Sequence, residues 1–328
     1  MAQDPQQVIG WHGIKARVFD DWAVVGFGGD DVSGSMRIDS GGGPGFENIA
    51  GLEMRWSQSK GKQTDESLKQ KVQPLLRSAE KSGKKAGISS SIVLKSSPEP
   101  GRPEREVSIS FSWNMDRSAR GKIFYCSVCS RVTVAVAFGK SGSQFTRQAK
   151  SVLETVECHP SVPGLTTWGL YGLLVDIPSE YRLVHQQLMN VYLQLKFETK
   201  NSVNELMVEQ WSIANVQLKG AYLDEWYDSK SIGWTDGVRS EKEEAEVNAH
   251  PALSIVGRRS KPVAVVIETF KSYSRFKRPA LNYSGVLWEC PESNKATLIQ
   301  AFSAVPGSEL VYDCARRTTC HAVSVECT

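Results

Sequence analysis

Gly121-Lys-Ile-Phe-Tyr-Cys126, with Phe138 twelve residues beyond, lines up without a gap on Gly285-Val-Leu-Trp-Glu-Cys290, with Phe302 twelve residues beyond. Glycine, aromatic, cysteine and terminal phenylalanine all fall in register. Working outward, Leu52-Glu-Met-Arg-Trp56 matches Met207-Val-Glu-Gln-Trp211, and each is followed by an amphipathic stretch. The openings also agree: Trp11 precedes Val18-Phe-Asp-Asp-Trp22, and Trp168 precedes Ile177-Pro-Ser-Glu-Tyr181. Each half ends in Cys-His, at Cys158-His159 and Cys320-His321. Matches in one order indicate an internal repeat, so the chain reads as one module written twice, over 1–160 and 161–328. Pro160-Ser-Val-Pro-Gly164 breaks both helix and strand and sets the linker at 159–166.

Bulk properties agree with two domains. The chain has 328 residues, against roughly 100–200 per domain. Its 40% hydrophobic and 23% charged residues are those of an ordinary globular protein. The net charge of +3 is too small to be a nucleic-acid footprint. It is unevenly spread: residues 1–160 carry 22 Lys/Arg against 17 Asp/Glu, or +5, and residues 161–328 carry 17 against 19, or −2. A polyanion drawn by bulk charge would meet the first half. The apolar runs Val132–Phe138 and Val263–Ile267 fall far short of the roughly 18 residues that span a bilayer, and the first residues carry no leader pattern. The expected location is the cytoplasm.

Within the first half, Val/Ile/Trp-rich runs near 13–18, 22–27, 34–38 and 50–56, split by Gly/Asp/Ser clusters, predict strands. Thr64-Asp-Glu caps a helical pattern at Leu68, Val72, Leu75, Leu76 and Ala79, which Pro74 should kink or shorten. Strands follow near 88–95, 105–113, 121–126 and 131–138, then a helix over 143–157 with Phe145, Ala149, Val152, Leu153 and Val156 on one stripe. The second half repeats this with a helix over 212–228, and the charged stretch Arg239–Glu246 reads as a solvated loop or helix end. Strands, helix, strands, helix describe an α+β fold, a tandem duplication of a module with a mainly antiparallel sheet and about two packed helices. The layout is similar in outline to the PsbP and Mog1-like group of antiparallel α/β/α modules. That resemblance implies a fold alone, and no site residue is carried over from it.

Two cysteine spacings repeat, Cys126 to Cys158 and Cys290 to Cys320. A disulfide closing each loop would stabilise by about 3 kcal/mol, and would imply an oxidising compartment or a thermophilic source. A metal is the sharper alternative, because Cys126, Cys129, Cys158 and His159 offer a donor set that zinc accepts; the second half has Ser293 in place of Cys129. Plain buried thiols are the third reading.

Other chemistry finds little support. Gly139-Lys-Ser-Gly-Ser143 lies between a strand and a helix, but a Walker A loop needs glycine where Val134 stands. No Gly-x-Ser-x-Gly elbow accompanies the five histidines. No cofactor is expected. The partner-binding candidate is Phe270–Tyr283, where Lys271, Arg275, Lys277 and Arg278 interleave with aromatics such as Tyr273 and Phe276, a mixture that suits phosphates and exposed bases. Trp11, Trp56, Trp168 and Trp211 read as core anchors, and Trp226 and Trp234 as freer to make surface contacts. The expected function is that of a non-catalytic tandem-module binding protein, contacting a protein assembly or a structured RNA or ribonucleoprotein. The alternative is an enzyme with its site in the groove between the modules.

Overall fold

The computed structural model describes residues 6–40, 50–85, 91–96, 101–105, 107–114, 117–160, 162–199, 204–230, 235, 237–274, 279–306 and 309–321. Two compact units divide the chain, Met1–Gly172 and Leu173–Thr328. Both are built mainly from antiparallel strands with packed helices, an α+β architecture.

Unit 1 opens with β1 (Gln7–Trp11) and β2 (Ile14–Val18). They turn through His12 at φ 52° and Gly13 at φ 80°, and two positive φ values give a turn whose twist matches the flanking strands. Next come β3 (Trp22–Gly29), β4 (Ser33–Ser40), β5 (Gly51–Gln58), α1 (Asp65–Lys85), β6 (Ser91–Ser96), β7 (Val107–Asn114), β8 (Arg117–Cys126), β9 (Arg131–Lys140) and α2 (Ser143–Glu154). After α2 the backbone of Glu157 pairs with Lys15 of β2, and β10 (Leu165–Leu170) lies antiparallel to β1. β3 to β9 form one sheet in the order β3-β4-β5-β9-β8-β7-β6.

Period-2 alternation gives that sheet two faces. On one, Leu68, Val72 and Leu76 of α1 pack against Ile109, Phe111, Ile123 and Val136, each contributing about 1.5–3 kcal/mol by leaving water. On the other, α2 buries Phe145, Ala149, Val152 and Leu153, with Phe145 pressed against Gly139 of β9. Thr64 caps α1 by accepting from the Ser67 amide at 3.3 Å. The helix runs on through Pro74 to Lys85 and is not shortened. Pro74 sits on its exposed side, where the missing N–H buries nothing unsatisfied.

Unit 2 comprises β11 (Leu173–Pro178), β12 (Tyr181–Met189), β13 (Tyr192–Thr199), β14 (Glu205–Ser212), α3 (Ala214–Leu218), α4 (Leu223–Lys230), β15 (Val238–Val247), β16 (His250–Arg259), α5 (Pro262–Ser274), β17 (Asn282–Cys290), β18 (Lys295–Ser303) and α6 (Leu310–Arg316). Its sheet order is β12-β13-β14-β18-β17-β16-β15, the same succession as in unit 1. A bridge between Leu174 and Thr319 follows α6. One core gathers Trp211, Leu218, Trp226 and Tyr227 over Leu253, Ile255, Leu287 and Phe302. Among the described residues, no helix is long and apolar enough to cross a membrane.

Several sequence expectations are corrected. The helix over 212–228 is two short helices, because Lys219 and Gly220 both take positive φ and end α3. Arg239–Glu246 is not a loop or helix end but the edge strand β15, paired to β16 along its whole length. Charges suit an edge strand, since they discourage pairing with another chain. Trp226 is buried, with 4% of its surface exposed, and donates from Nε1 to the Gln217 carbonyl at 3.1 Å.

The match of Leu52–Trp56 to Met207–Trp211 is displaced by one residue. Trp56 stands opposite Thr133, whereas Trp211 stands opposite Ala296, and Thr133 corresponds through the β8–β9 and β17–β18 registers to Thr297. One residue reverses the face, so Trp56 and Trp211 lie on opposite sides of their sheets. The Cys126–Phe138 match holds in register: Cys126 faces Arg131 and Cys290 faces Lys295.

Candidate functional site

A cavity of about 600 Å³ in unit 1 lies between α2 and the outer end of the sheet. Its floor follows from strand register. Lys95, Ser110 and Lys122 form one row across β6, β7 and β8, and Val93, Ser112 and Arg120 form the next. These residues alternate with Ile109 and Phe111, which point into the α1 core, so the small polar serines face the cavity. Among the described residues, Arg102 and Lys150 complete a wall of five cationic residues against one acid, Glu154. Lys150 lies 3.8 Å from that carboxylate, and Arg102 donates to the Glu154 backbone carbonyl at 3.3 Å. Lys122 is only 8% exposed. Clustered cations on a concave wall concentrate positive potential and favour an anionic group. In unit 2 the matching rows across β15, β16 and β17 read Glu243–Ser254–Val286 and Glu241–Val256–Ser284, with an acid and no cation in each.

A smaller cavity of about 300 Å³ in unit 2 is lined by Tyr192, Trp211, Trp226, Tyr227 and Glu209. Burial raises the Glu209 pKa, while Tyr192, Gln194 and Gln300 all donate to its carboxylate and oppose that shift. With its oxygens so engaged, the carboxylate holds a network together and is poorly placed to act as a base.

The cysteines gather at one end of each sheet. In unit 1, donor atoms of Cys126, Cys158 and His159 lie within 4.8 Å of one another, and Cys129 Sγ is 3.7 Å from Cys158 Sγ. The side chains of Cys129 and Cys158 hydrogen-bond Cys126 and pull its pKa down, with help from the Cys129 and Val128 backbone, while Cys129 and Cys158 are pushed up. In unit 2, Cys290, Cys320, His321 and His250 form the corresponding group, also within 4.8 Å. Burial first, and then Cys290, raises Cys320 to about 11. The disulfides expected for Cys126–Cys158 and Cys290–Cys320 are not formed: all four cysteines are free thiols. A bond needs sulfurs about 2.05 Å apart, and each sulfur instead shares its neighbours with a third donor.

Of the set Cys126, Cys129, Cys158 and His159 that sequence reasoning singled out, the fold holds Cys126, Cys158 and His159 within 4.8 Å of one another and sets Cys129 Sγ beside Cys158 Sγ. Sequence reasoning missed His250, which lies far upstream of Cys290 and reaches the cluster because β16 pairs with β17. It also missed the basic cavity, whose cations come from four separate segments. Lys271 and Tyr273 fall within α5, their side chains outside the described residues, as are Arg275, Phe276, Lys277, Arg278 and Trp234.

No protein-family model matches the sequence, and no curated protein matches it. Among solved structures, the chain is similar to the immunity protein TplEi of T6SS from Pseudomonas aeruginosa complexed with "L" peptide. Identity is 10% over 96% of this chain and 97% of that one, and the TM-score is 0.31. A likeness of that strength carries no argument about this protein.

Proposed function

We propose that this is a non-catalytic binding protein, a tandem duplication of one α+β module whose first unit receives an acidic segment of a protein partner. The observation that carries this is the cavity of about 600 Å³, which among the described residues is lined by five cationic residues and one acid. The volume falls within the range typical of ligand sites, and the charge excess lies in the half of the sequence with net +5. The duplication is supported by the shared strand order and by the equivalent registers of Cys126 and Cys290.

A protein partner is favoured over RNA by the nature of the wall. Single-stranded nucleic acid is held by cations together with aromatic platforms for the bases. Among the described residues the one aromatic lining residue is Phe111, which is 3% exposed and committed to the α1 core. Carboxylates need only the cations and the serine hydroxyls. Lys271, Tyr273, Arg275, Phe276, Lys277 and Arg278 are proposed as a second contact for the same partner.

The test is fluorescence anisotropy with a labelled poly-glutamate peptide and, separately, a labelled single-stranded RNA. The expected result is peptide binding that weakens as salt rises and disappears when Lys95→Glu, Arg120→Glu and Lys150→Glu are combined in a variant with unchanged Tm. Preferential binding of the RNA, or peptide binding indifferent to the triple reversal, overturns the proposal.

A further inference from the structure

The two thiol clusters share a position and three of their donors, a strand cysteine and a Cys-His pair. In each unit a cysteine ends the strand before a hairpin, Cys126 on β8 and Cys290 on β17, and a Cys-His pair follows the last helix. The backbone bridges Lys15–Glu157 and Leu174–Thr319 set those pairs at the same point of each unit. The fourth donor differs. Unit 1 adds Cys129 from the hairpin turn, its sulfur 3.7 Å from that of Cys158 but outside the 4.8 Å group of Cys126, Cys158 and His159; unit 2 has Ser293 there and supplies His250 from the start of β16 instead. A lost thiol in the second copy is therefore made good by an imidazole from another strand, keeping four nitrogen or sulfur donors in both.

The distances are those of a metal cage. Ligands at about 2.3 Å for sulfur and about 2.0–2.1 Å for nitrogen around a tetrahedral ion stand about 3.8 Å apart when both are sulfur and about 3.5 Å apart when one is nitrogen. Cys129 and Cys158 sulfurs are 3.7 Å apart. His321 Nδ1 is 3.2 Å from Cys290 Sγ and 3.3 Å from Cys320 Sγ, and His250 Nε2 is 3.4 Å from Cys320 Sγ. Several weak hydrogen bonds between thiols and imidazoles would leave sulfurs crowded for little gain, since S–H is a poor donor.

Outer contacts point the same way. His159 Nδ1 is 3.1 Å from the Pro160 carbonyl, which fixes a proton there and leaves Nε2 with its lone pair. His250 Nδ1 lies 4.0 Å from the Glu292 carboxylate while Nε2 faces the cluster. An imidazole whose far nitrogen is held by a carbonyl, as at His159, is a usual form of a histidine ligand. Cys126, Cys158, Cys290, Cys320 and His250 are all at most 5% exposed.

We infer that each unit binds one zinc ion, at Cys126, Cys129, Cys158 and His159 in unit 1 and at His250, Cys290, Cys320 and His321 in unit 2. Four protein donors fill a tetrahedral ion, so both sites are structural. Each ion adds a tie between the hairpin end and the segment after the last helix, beside the backbone bridges that already hold that segment. This does not depend on the acidic-partner proposal, and either can fail alone.

The test uses the full chain purified under reducing conditions without chelator. Elemental analysis should find about two zinc ions per chain, and replacement by cobalt(II) should produce a thiolate-to-cobalt charge-transfer band. Cys158→Ser and His250→Ala should each lower the stoichiometry to one ion and leave the other site's band. Should a variant fail to fold, the wild-type cobalt spectrum still decides. Less than one zinc per chain after reconstitution with zinc chloride, or no charge-transfer band, overturns the inference. So does an intact mass showing the cysteines paired as disulfides in the protein as isolated.

Discussion

Arg131 stands directly across the β8–β9 hairpin from Cys126. Its guanidinium donates to three backbone carbonyls: His12 at 2.9 Å, Asp31 at 2.8 Å and Cys158 at 3.4 Å. One side chain thus ties two turns to the loop that carries the second half of the thiol cluster. Lysine offers a point charge in place of this planar fork. Arg131→Lys is expected to cost about 1–3 kcal/mol by leaving partly buried carbonyls unsatisfied. Urea denaturation followed by tryptophan fluorescence checks this; a midpoint equal to wild type contradicts it.

His12 sits at the β1–β2 turn with its ring 5.2 Å from Trp11 and 4.8 Å from Trp168. Burial, with a smaller push from Arg131, lowers its pKa to about 4, against the partial opposition of Asp31 and Asp30. The unfolded imidazole takes its proton near pH 6.5 and the folded one only near 4, so the unfolded state binds more protons between these values. Stability therefore falls as pH drops through that window. His12→Asn keeps a side chain that tolerates the positive φ, and its Tm should fall less than wild type between pH 7 and pH 4.5. Parallel curves would rule out this histidine as the cause.

Glu209 accepts from Tyr192, from Gln194 at 3.2 Å and from Gln300 at 2.5 Å. Gln300 cannot turn its amide to suit a change, because its oxygen accepts from Tyr283 at 2.7 Å. In Glu209→Gln a new N–H₂ meets an existing donor, and the loss should be about 1–3 kcal/mol, read from chemical denaturation at pH 7. An unchanged or higher midpoint would show that relief of desolvation outweighs the lost acceptor.

Gly121 on β8 leaves room for the Phe111 ring: a Cβ there would lie 2.4 Å from Phe111 Cζ and 2.9 Å from the Ala135 carbonyl. Gly121→Ala should cost about 1–3 kcal/mol through overpacking. At the matched Gly285 the nearest atom is the Tyr283 hydroxyl at 2.8 Å, the far end of a side chain, so Gly285→Ala should cost less. Thermal melts of the two variants test the order, and the reverse order refutes it.

Alternation and turn residues carried the strands and helices of unit 1 nearly to their ends, because Val107, Ile109 and Phe111 can bury only one face of a strand. They failed where local pattern is ambiguous. Charged Arg239–Glu246 alternates as an edge strand does, but its pairing comes from β16, and pattern alone left it a loop or helix end. Trp56 and Trp211 look equivalent by spacing, yet strand pairing places them one residue apart and so on opposite faces.

By itself the sequence determined the repeated Gly-to-Phe stretch, the two Cys-His pairs and the mainly antiparallel α+β composition, since these depend on local spacing and the period of a strand. Only the tertiary structure decided that His250 joins Cys290, Cys320 and His321, and that Lys95, Arg102, Arg120, Lys122 and Lys150 surround one cavity. Those groups meet across strand pairs and a packed helix, and no spacing along a chain specifies which distant segments the burial of its apolar faces will bring side by side.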